Sequence, residues 1–241
     1  PRYLCFGIPE RLDAHGEVLT PLDEEAVRQV AEQLRREEVV SVAVCLLHAY
    51  ANPTHEKRVE EILRENFPEA VVSLSSEVAP EFREYFRAST TVINACIRPV
   101  VANYLQRIED RLRREGVTAE LLVMQSSGGV FSFAAASEKP VFMVESGPAA
   151  GVISAAYLGG TLGHRDVISF DMGGTTAKAS LIEDGHPNWT TEHEVGSGIS
   201  LSSRLVKGGG YAVKVPVMDL AEVGAGGGSI VWIDRGGALK T

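Results

Sequence analysis

The chain of 241 residues has only three cysteines, no excess of basic charge and no long apolar run. Each shortage removes a class of protein. Cys5, Cys45 and Cys96 are far apart and odd in number, which suits neither a disulfide framework nor a zinc site of paired cysteines. Each is expected to be a small buried residue. A net charge of −9 disfavours nucleic acid and anionic membranes as partners, while leaving room for a local phosphate pocket. No apolar stretch approaches the roughly 18 residues of a membrane span. Pro1-Arg2-Tyr3-Leu4 has neither the form nor the length of a signal peptide, so a cytoplasmic location is expected. The six histidines supply no HxxxH or HxH pair for a zinc hydrolase. A P-loop is missing, and so is a GxGxxG fingerprint: Gly224-Ala225-Gly226-Gly227-Gly228-Ser229 carries Ser229 where the third glycine belongs.

What is present is enough apolar residue, 44% of the chain, to fill one large core or two small ones. Val27, Val30, Ala31 and Leu34 recur on one side of an expected helix at 24–36. Val39 to Leu47 reads as a buried strand, and Asn52-Pro53-Thr54 as the start of a helix bearing Val59, Ile62 and Leu63 opposite its Glu and Arg residues. Helix, strand, helix at this spacing favours an α/β domain with a mostly parallel sheet. A short strand at "AVVSLSS" precedes a long helical region over 81–115, which Pro99 is expected to kink or divide and Gly116 to end. Its stripe is Ile97, Val101, Tyr104, Leu105, Ile108 and Leu112. "ELLVMQSSGGVFS" gives a strand and a polar loop, Gln125 to Gly129, whose glycines suit either an ordinary turn or a close approach to a ligand. A helix rich in Ala and Gly is expected over 148–158. The Gly159–Gly163 stretch breaks the pattern and marks the expected domain boundary, with 1–161 on one side and 162–241 on the other. Beyond it Val167 to Asp171, Ala177 to Ile182 and Asn188 to Glu192 read as an antiparallel meander turning at Asp184-Gly185.

Within that meander, Asp171-Met172-Gly173-Gly174-Thr175-Thr176 joins two strands by a tight turn with no side chain at two positions. Backbone amides there can face an anion, two threonine hydroxyls can donate to it, and a hard carboxylate oxygen suits a Mg²⁺ held mostly through water. An ordinary β-hairpin whose Asp and Thr cap the turn uses the same residues, and the motif alone leaves both open. Asp219 and Glu222, just before the later glycine run, are further candidates for a metal or substrate site. Lys178 shares a strand face with Thr176 and Ser180 and is expected to be solvated, and His193 to be exposed. Arg83, Arg87 and Asn94 fall in a motif-like segment where ion pairing accounts for the arginines.

Asp171 to Thr175 resembles the second phosphate motif of the actin, sugar-kinase and heat-shock-chaperone ATPase superfamily. Taken in order, "NPTHE", "EYFRASTTVINACIRPVVANYL", "MQSSGG", "ESGPAAGVISAAYLG", "FDMGGTTAK" and "EVGAGGGSI" resemble the hydantoinase A and 5-oxoprolinase family, to which ATP-binding subunits of ketone carboxylases are related. The resemblance implies an α/β fold of two actin-like (ribonuclease H-like) lobes, a mixed sheet flanked by helices, with 145–159 in the place of the connecting helix. It implies ATP and Mg²⁺ as cofactors, Asp171 orienting the metal or the attacking water, and Gly173, Gly174, Thr175, Thr176, Gly226 and Gly227 contacting nucleotide. Asp219 and Glu222 stay as metal candidates beside Asp171. The implied reaction is ATP-driven opening of a cyclic amide or imide such as hydantoin, N-methylhydantoin or 5-oxoproline, with a hydantoinase B-type second subunit as a possible partner. An ATP-binding subunit of a ketone carboxylase and a non-catalytic ATP-binding module are the alternatives. No DxGGT-like motif lies between Pro1 and Gly160, where the family has an earlier one, so a central, incomplete part of a longer protein is expected.

Overall fold

The computed structural model describes residues 2–191, 193–195 and 210–240 and divides the chain into two compact units. The first comprises 1–122 and 132–141; the second comprises 123–131 and 142–241. Among the described residues no helix is long and apolar enough to cross a membrane.

In the first unit a short antiparallel pair, β1 (Arg11–Leu12) and β2 (Val18–Thr20), leads into α1 (Glu24–Arg36), the helix expected from its apolar spacing. The Asp23 side chain accepts from the Ala26 amide at 3.0 Å and caps the helix. Glu24 and Glu25 in the first turn, with Arg35 and Arg36 in the last, suit its dipole. Strand β3 (Ser41–Val44), helix α2 (Thr54–Asn66) and strand β4 (Val71–Leu74) form a parallel crossover, with Ser41 opposite Val71 and Val44 opposite Leu74. Pro53 sits one place before α2, where its missing amide is not needed. Val27, Ala31 and Leu34 of α1 pack with Val59, Ile62 and Leu63 of α2 and with Val44, Val72 and Leu74 of the strands.

A single turn, α3 (Ser75–Val78), precedes the 31-residue α4 (Glu84–Arg114). Pro99, expected to kink or divide this helix, lies inside it without dividing it. The proline lacks the amide that would bond the Ala95 carbonyl, and the Ser41 hydroxyl from β3 donates to that carbonyl at 2.6 Å instead. Of the expected stripe only Leu105 is fully buried, and Tyr104 is exposed. At the far end Gly116 takes φ +84° and the Val117 amide returns to the Leu112 carbonyl, stopping the helix there. The cysteines also depart from expectation: Cys5 and Cys96 are exposed and Cys45 is half-buried. The chain then forms the hairpin β5 (Leu122–Met124) and β6 (Val130–Ser132), followed by α5 (Phe133–Glu138).

The second unit is built on α6 (Ser146–Leu162), longer at both ends than expected. It starts from Glu145, a non-glycine residue at φ 61°, and ends at Gly163 with φ +81°. The glycines of 159–163 therefore form its last turn and cap. Gly159 is small for a packing reason, since a Cβ there would meet Val167 Cγ2 at 2.8 Å. Strands β7 (Val167–Met172), β8 (Ala177–Glu183) and β9 (His186–Pro187) make an antiparallel meander whose third strand is 186–187, not the expected 188–192. The remaining strands are β10 (Trp189–Thr190), β11 (His193–Val195), β12 (Tyr211–Val213), β13 (Val217–Met218), β14 (Ala221–Val223), β15 (Trp232–Ile233) and β16 (Leu239–Lys240). β10 pairs with β13 and β11 with β12, and β14 joins β8 on the side away from β7. Glu192, the expected end of the third strand, lies outside the described residues. Ala149 and Val152 of α6 pack with Ile182, Met218 and Leu220, and Val167 joins them. Because strand residues alternate, Val167, Ser169 and Asp171 share the helix-covered side of β7, while Ile168, Phe170 and Met172 are exposed.

A candidate phosphate cradle in the second unit

Two glycine-rich stretches about 50 residues apart meet here. The turn after β7 is closed by the Gly173 amide donating to the Thr176 carbonyl at 3.0 Å. The loop after β14 lies against it: the Gly227 and Gly228 amides donate to the Gly173 and Gly174 carbonyls, each at 2.9 Å. Ser229 closes that loop, accepting on Oγ from the Gly226 amide at 3.1 Å and donating its own amide to the Gly226 carbonyl. The approach excludes side chains. A Cβ on Gly226 would stand 2.7 Å from the Gly173 carbonyl oxygen and 2.8 Å from the Thr176 nitrogen, and one on Gly228 2.9 Å from the Gly174 oxygen.

Against this backbone packing, several polar groups stay open. Asp171, Gly173, Gly174 and Thr175 are exposed and Thr176 is half-buried. Among the described residues no acceptor takes the Gly174 or Thr175 amides, and no partner engages the Asp171 carboxylate or either threonine hydroxyl. The structure thus brings Asp171, Gly173, Gly174, Thr175, Thr176, Gly226 and Gly227 into one neighbourhood.

The metal candidates separate. Glu222 stands directly across from Lys178, which in turn stands across from Asp171, so the three form one row over β7, β8 and β14. Lys178 is not solvated. Its side chain is 13% exposed, ion-pairs with Glu145 at the start of α6, and lies 3.6 Å from the Glu222 carboxylate. Sequence reasoning missed this because its partners come from 33 positions before and 44 after it. Asp219 is exposed, and its main-chain carbonyl accepts from the Ser180 hydroxyl at 2.7 Å. Among the described residues no three His, Cys, Asp or Glu side chains gather as a metal site. A single open carboxylate, Asp171, is nevertheless enough to fit a Mg²⁺ that keeps most of its waters and is shared with phosphates.

His193, expected to be exposed, is buried where β11 pairs with β12. Burial holds its imidazole below the ordinary value of 6.5. Lys178 adds to this, while Glu145, Glu222 and Glu194 oppose it.

Elsewhere the motif-like segments have structural duties. In the loop 125–129, Gly128 at φ +83° packs where a Cβ would meet Met218 at 2.5 Å and Ile153 at 2.6 Å, and buried Ser126 donates from amide and hydroxyl to the Phe142 carbonyl. That is a packed turn. In the first unit Arg87, 1% exposed, donates to the Glu81 and Leu46 carbonyls and lies over the Tyr50 ring at 5.4 Å, so carbonyls and a π-face take the place of the expected ion pair. Asn94 donates to Ser73 Oγ and the Glu138 carbonyl and accepts from the Val141 amide.

Comparison with known proteins adds the lineage. The model of the hydantoinase/oxoprolinase family matches residues 87–241, and that of the hydantoinase/oxoprolinase N-terminal region matches 1–67. The chain is 32% identical over its whole length to the alpha subunit of caprolactamase from Pseudomonas jessenii, covering 33% of that protein. It is 35% identical to the 5-oxoprolinase of Saccharomyces cerevisiae over 89% of the chain and 15% of that protein. The nucleotide-free structure of an acetone carboxylase, from work on ATP-dependent acetone carboxylation, superposes over the whole chain with a TM-score of 0.79 at 30% identity, covering 32% of that chain. The segment thus spans about a third or less of these proteins' length. Its fold is mixed α/β, and the chain belongs to the hydantoinase/oxoprolinase family.

Proposed function

We propose that this segment supplies one half of an ATP site in an enzyme that opens a cyclic amide or imide ring. The observation that carries the reading is the cradle itself: two glycine loops locked by main-chain hydrogen bonds, with the Gly174 and Thr175 amides and both threonine hydroxyls left without acceptors among the described residues. Open donors held on a fixed backbone suit phosphate oxygens, and they act without reorganising during transfer. Asp171, open beside them, would hold a hydrated Mg²⁺, whose charge would offset that of the phosphates.

In the proposed chemistry the amide oxygen of the ring attacks the γ-phosphorus. The bond from that phosphorus to the β,γ-bridging oxygen breaks, and ADP leaves. A water adds to the activated carbon, the ring C–N bond breaks as the nitrogen is protonated, and a second water releases inorganic phosphate from the resulting acyl phosphate. Gly173 and Gly174 allow close approach, and Thr175 and Thr176 orient the phosphate. The alpha-subunit relative supports a second subunit, of the hydantoinase B type, as partner. The structural likeness to acetone carboxylase favours a second reading, in which the same half-site serves carboxylation of a ketone.

The test is a calorimetric titration of Mg-ATP and Mg-ADP into the polypeptide at its natural length, with Asp171→Ala beside it. Saturable, magnesium-dependent binding that the substitution abolishes is expected. Binding with equal affinity in the variant would remove Asp171 from the site, and no binding by the unaltered protein would overturn the reading. Products from hydantoin or 5-oxoproline, against those from a ketone with bicarbonate, separate the two reactions.

A further inference from the structure

The row Asp171, Lys178, Glu222 poses an electrostatic problem for a phosphate site. Two carboxylates, those of Glu145 and Glu222, flank one ammonium, and Asp171 stands across from Lys178 in strand register. Glu145 and Glu222 are 24% and 12% exposed, so solvent screens them incompletely. A polyphosphate entering above them meets net negative charge that Lys178 keeps from being larger still.

The position of Lys178 suits this task. It lies two residues past Thr176, on the same side of the strand, and the row it anchors spans the three strands that frame both loops: β7 and β8 bound the Gly173–Thr176 turn and β14 leads into the Gly224–Ser229 loop. Its two partners hold it from separate directions, Glu222 from across the sheet and Glu145 from the first residue before α6. Glu145 adopts φ 61° without making a side-chain cap to its own helix; its carboxylate is committed to Lys178.

We propose that Lys178 is the charge-setting positioning residue of the cradle: pinned by Glu145 and Glu222, it neutralises carboxylates that would otherwise repel the phosphates, without itself binding them. The inference rests on the nucleotide reading above and assigns Glu222 to Lys178, not to a metal. It makes a signed prediction. Lys178→Gln adds a net negative charge beside the cradle and is expected to weaken Mg-ATP about fivefold or more at low salt, with the loss shrinking as salt rises. Glu222→Gln removes a negative charge and is expected to bind Mg-ATP as tightly as the unaltered protein or tighter. Lys178→Arg, which keeps the charge, is expected to stay within about threefold.

The experiment is Mg-ATP binding at two ionic strengths for these three variants of the natural-length polypeptide, with steady-state KM and kcat beside it. Opposite signs for Lys178→Gln and Glu222→Gln, read in KM more than in kcat, support the proposal. Weakening by both marks Lys178 and Glu222 as a structural pair or Glu222 as a metal ligand, and overturns it. So does unchanged binding in Lys178→Gln. Should Lys178→Gln fail to fold, Glu222→Gln alone decides by its sign. Absence of binding in the unaltered protein removes the nucleotide reading and this inference together, an outcome distinct from all the others.

Discussion

Glu56 in the first unit and Asp171 in the second are carboxylates that the molecule treats in opposite ways. Glu56 is wholly buried in the first turn of α2 and accepts from the Leu46 amide, the Ser75 hydroxyl and the Ser76 amide, at 2.9, 2.6 and 2.8 Å. It ties the end of β3 to the start of α3. Asp171 is exposed at the end of β7, and among the described residues nothing donates to it. The first unit treats its interior polar atoms similarly elsewhere: His55 and Glu10 pair at 2.7 Å out of solvent, and Asn94 satisfies three neighbours. A polar group saturated inside the fold contributes to its stability. One left open on a rigid backbone is available to something else.

The comparison can be broken most directly by deleting each carboxylate. Glu56→Ala leaves two amides and a hydroxyl without their acceptor, and is expected to destabilise the first unit by about 4 kcal/mol. Asp171→Ala is expected to change stability by no more than about 0.5 kcal/mol. Denaturant midpoints measure both, and a similar loss in the two variants would erase the distinction. Next in size, Gly226→Ala forces a methyl to 2.7 Å from the Gly173 oxygen, so the two loops must part. Mg-ATP binding is expected to fall about tenfold or more while far-ultraviolet dichroism stays unchanged; retained affinity would mean that the contact between the loops is not what shapes the cradle. A smaller effect tests the first unit again: Ser41→Ala leaves the Ala95 carbonyl without the hydroxyl that replaces Pro99's missing amide, and should cost about 1 kcal/mol.

The smallest effect concerns pH. Because burial depresses the His193 pKa in the folded state, the unfolded chain takes up a proton below the ordinary 6.5 that the folded chain refuses. That contribution to stability is complete above 6.5 and is lost progressively as pH falls towards the folded value. Stability measured at pH 7.5 and 5.5 should therefore fall less in His193→Gln than in the unaltered protein. An equal fall would show that His193 titrates alike in both states.

Local signals carried much of the fold. The spacing of Val27, Ala31 and Leu34 marks α1, and Gly116 stops α4, because periodicity and stop signals act within a few residues. What escaped depends on distant partners. Pro99 reads as a kink or a break, and the donor it lacks is supplied by Ser41, 58 positions earlier. Glu56 belongs to the Glu and Arg residues set opposite the apolar side of its helix, yet three donors from Leu46, Ser75 and Ser76 close on it. At the candidate site the glycines and threonines were legible as a turn, whereas the burial of Lys178 and His193 was not, since each is covered by strands or a helix end remote in the chain.

The hydrogen bonds that join the two loops run from main chain to main chain, which has a consequence for variation. At Gly226 and Gly228 no side-chain property can be improved or exchanged, because the need is for a vacant Cβ position. A saturation scan should therefore find a flat pattern at these sites, with alanine rejected nearly as firmly as tryptophan, while neighbouring Gly224 and Gly227, where an added Cβ meets nothing closer than 3.5 Å, should accept small residues. Such a pattern would separate glycines needed for space from those that merely accompany them.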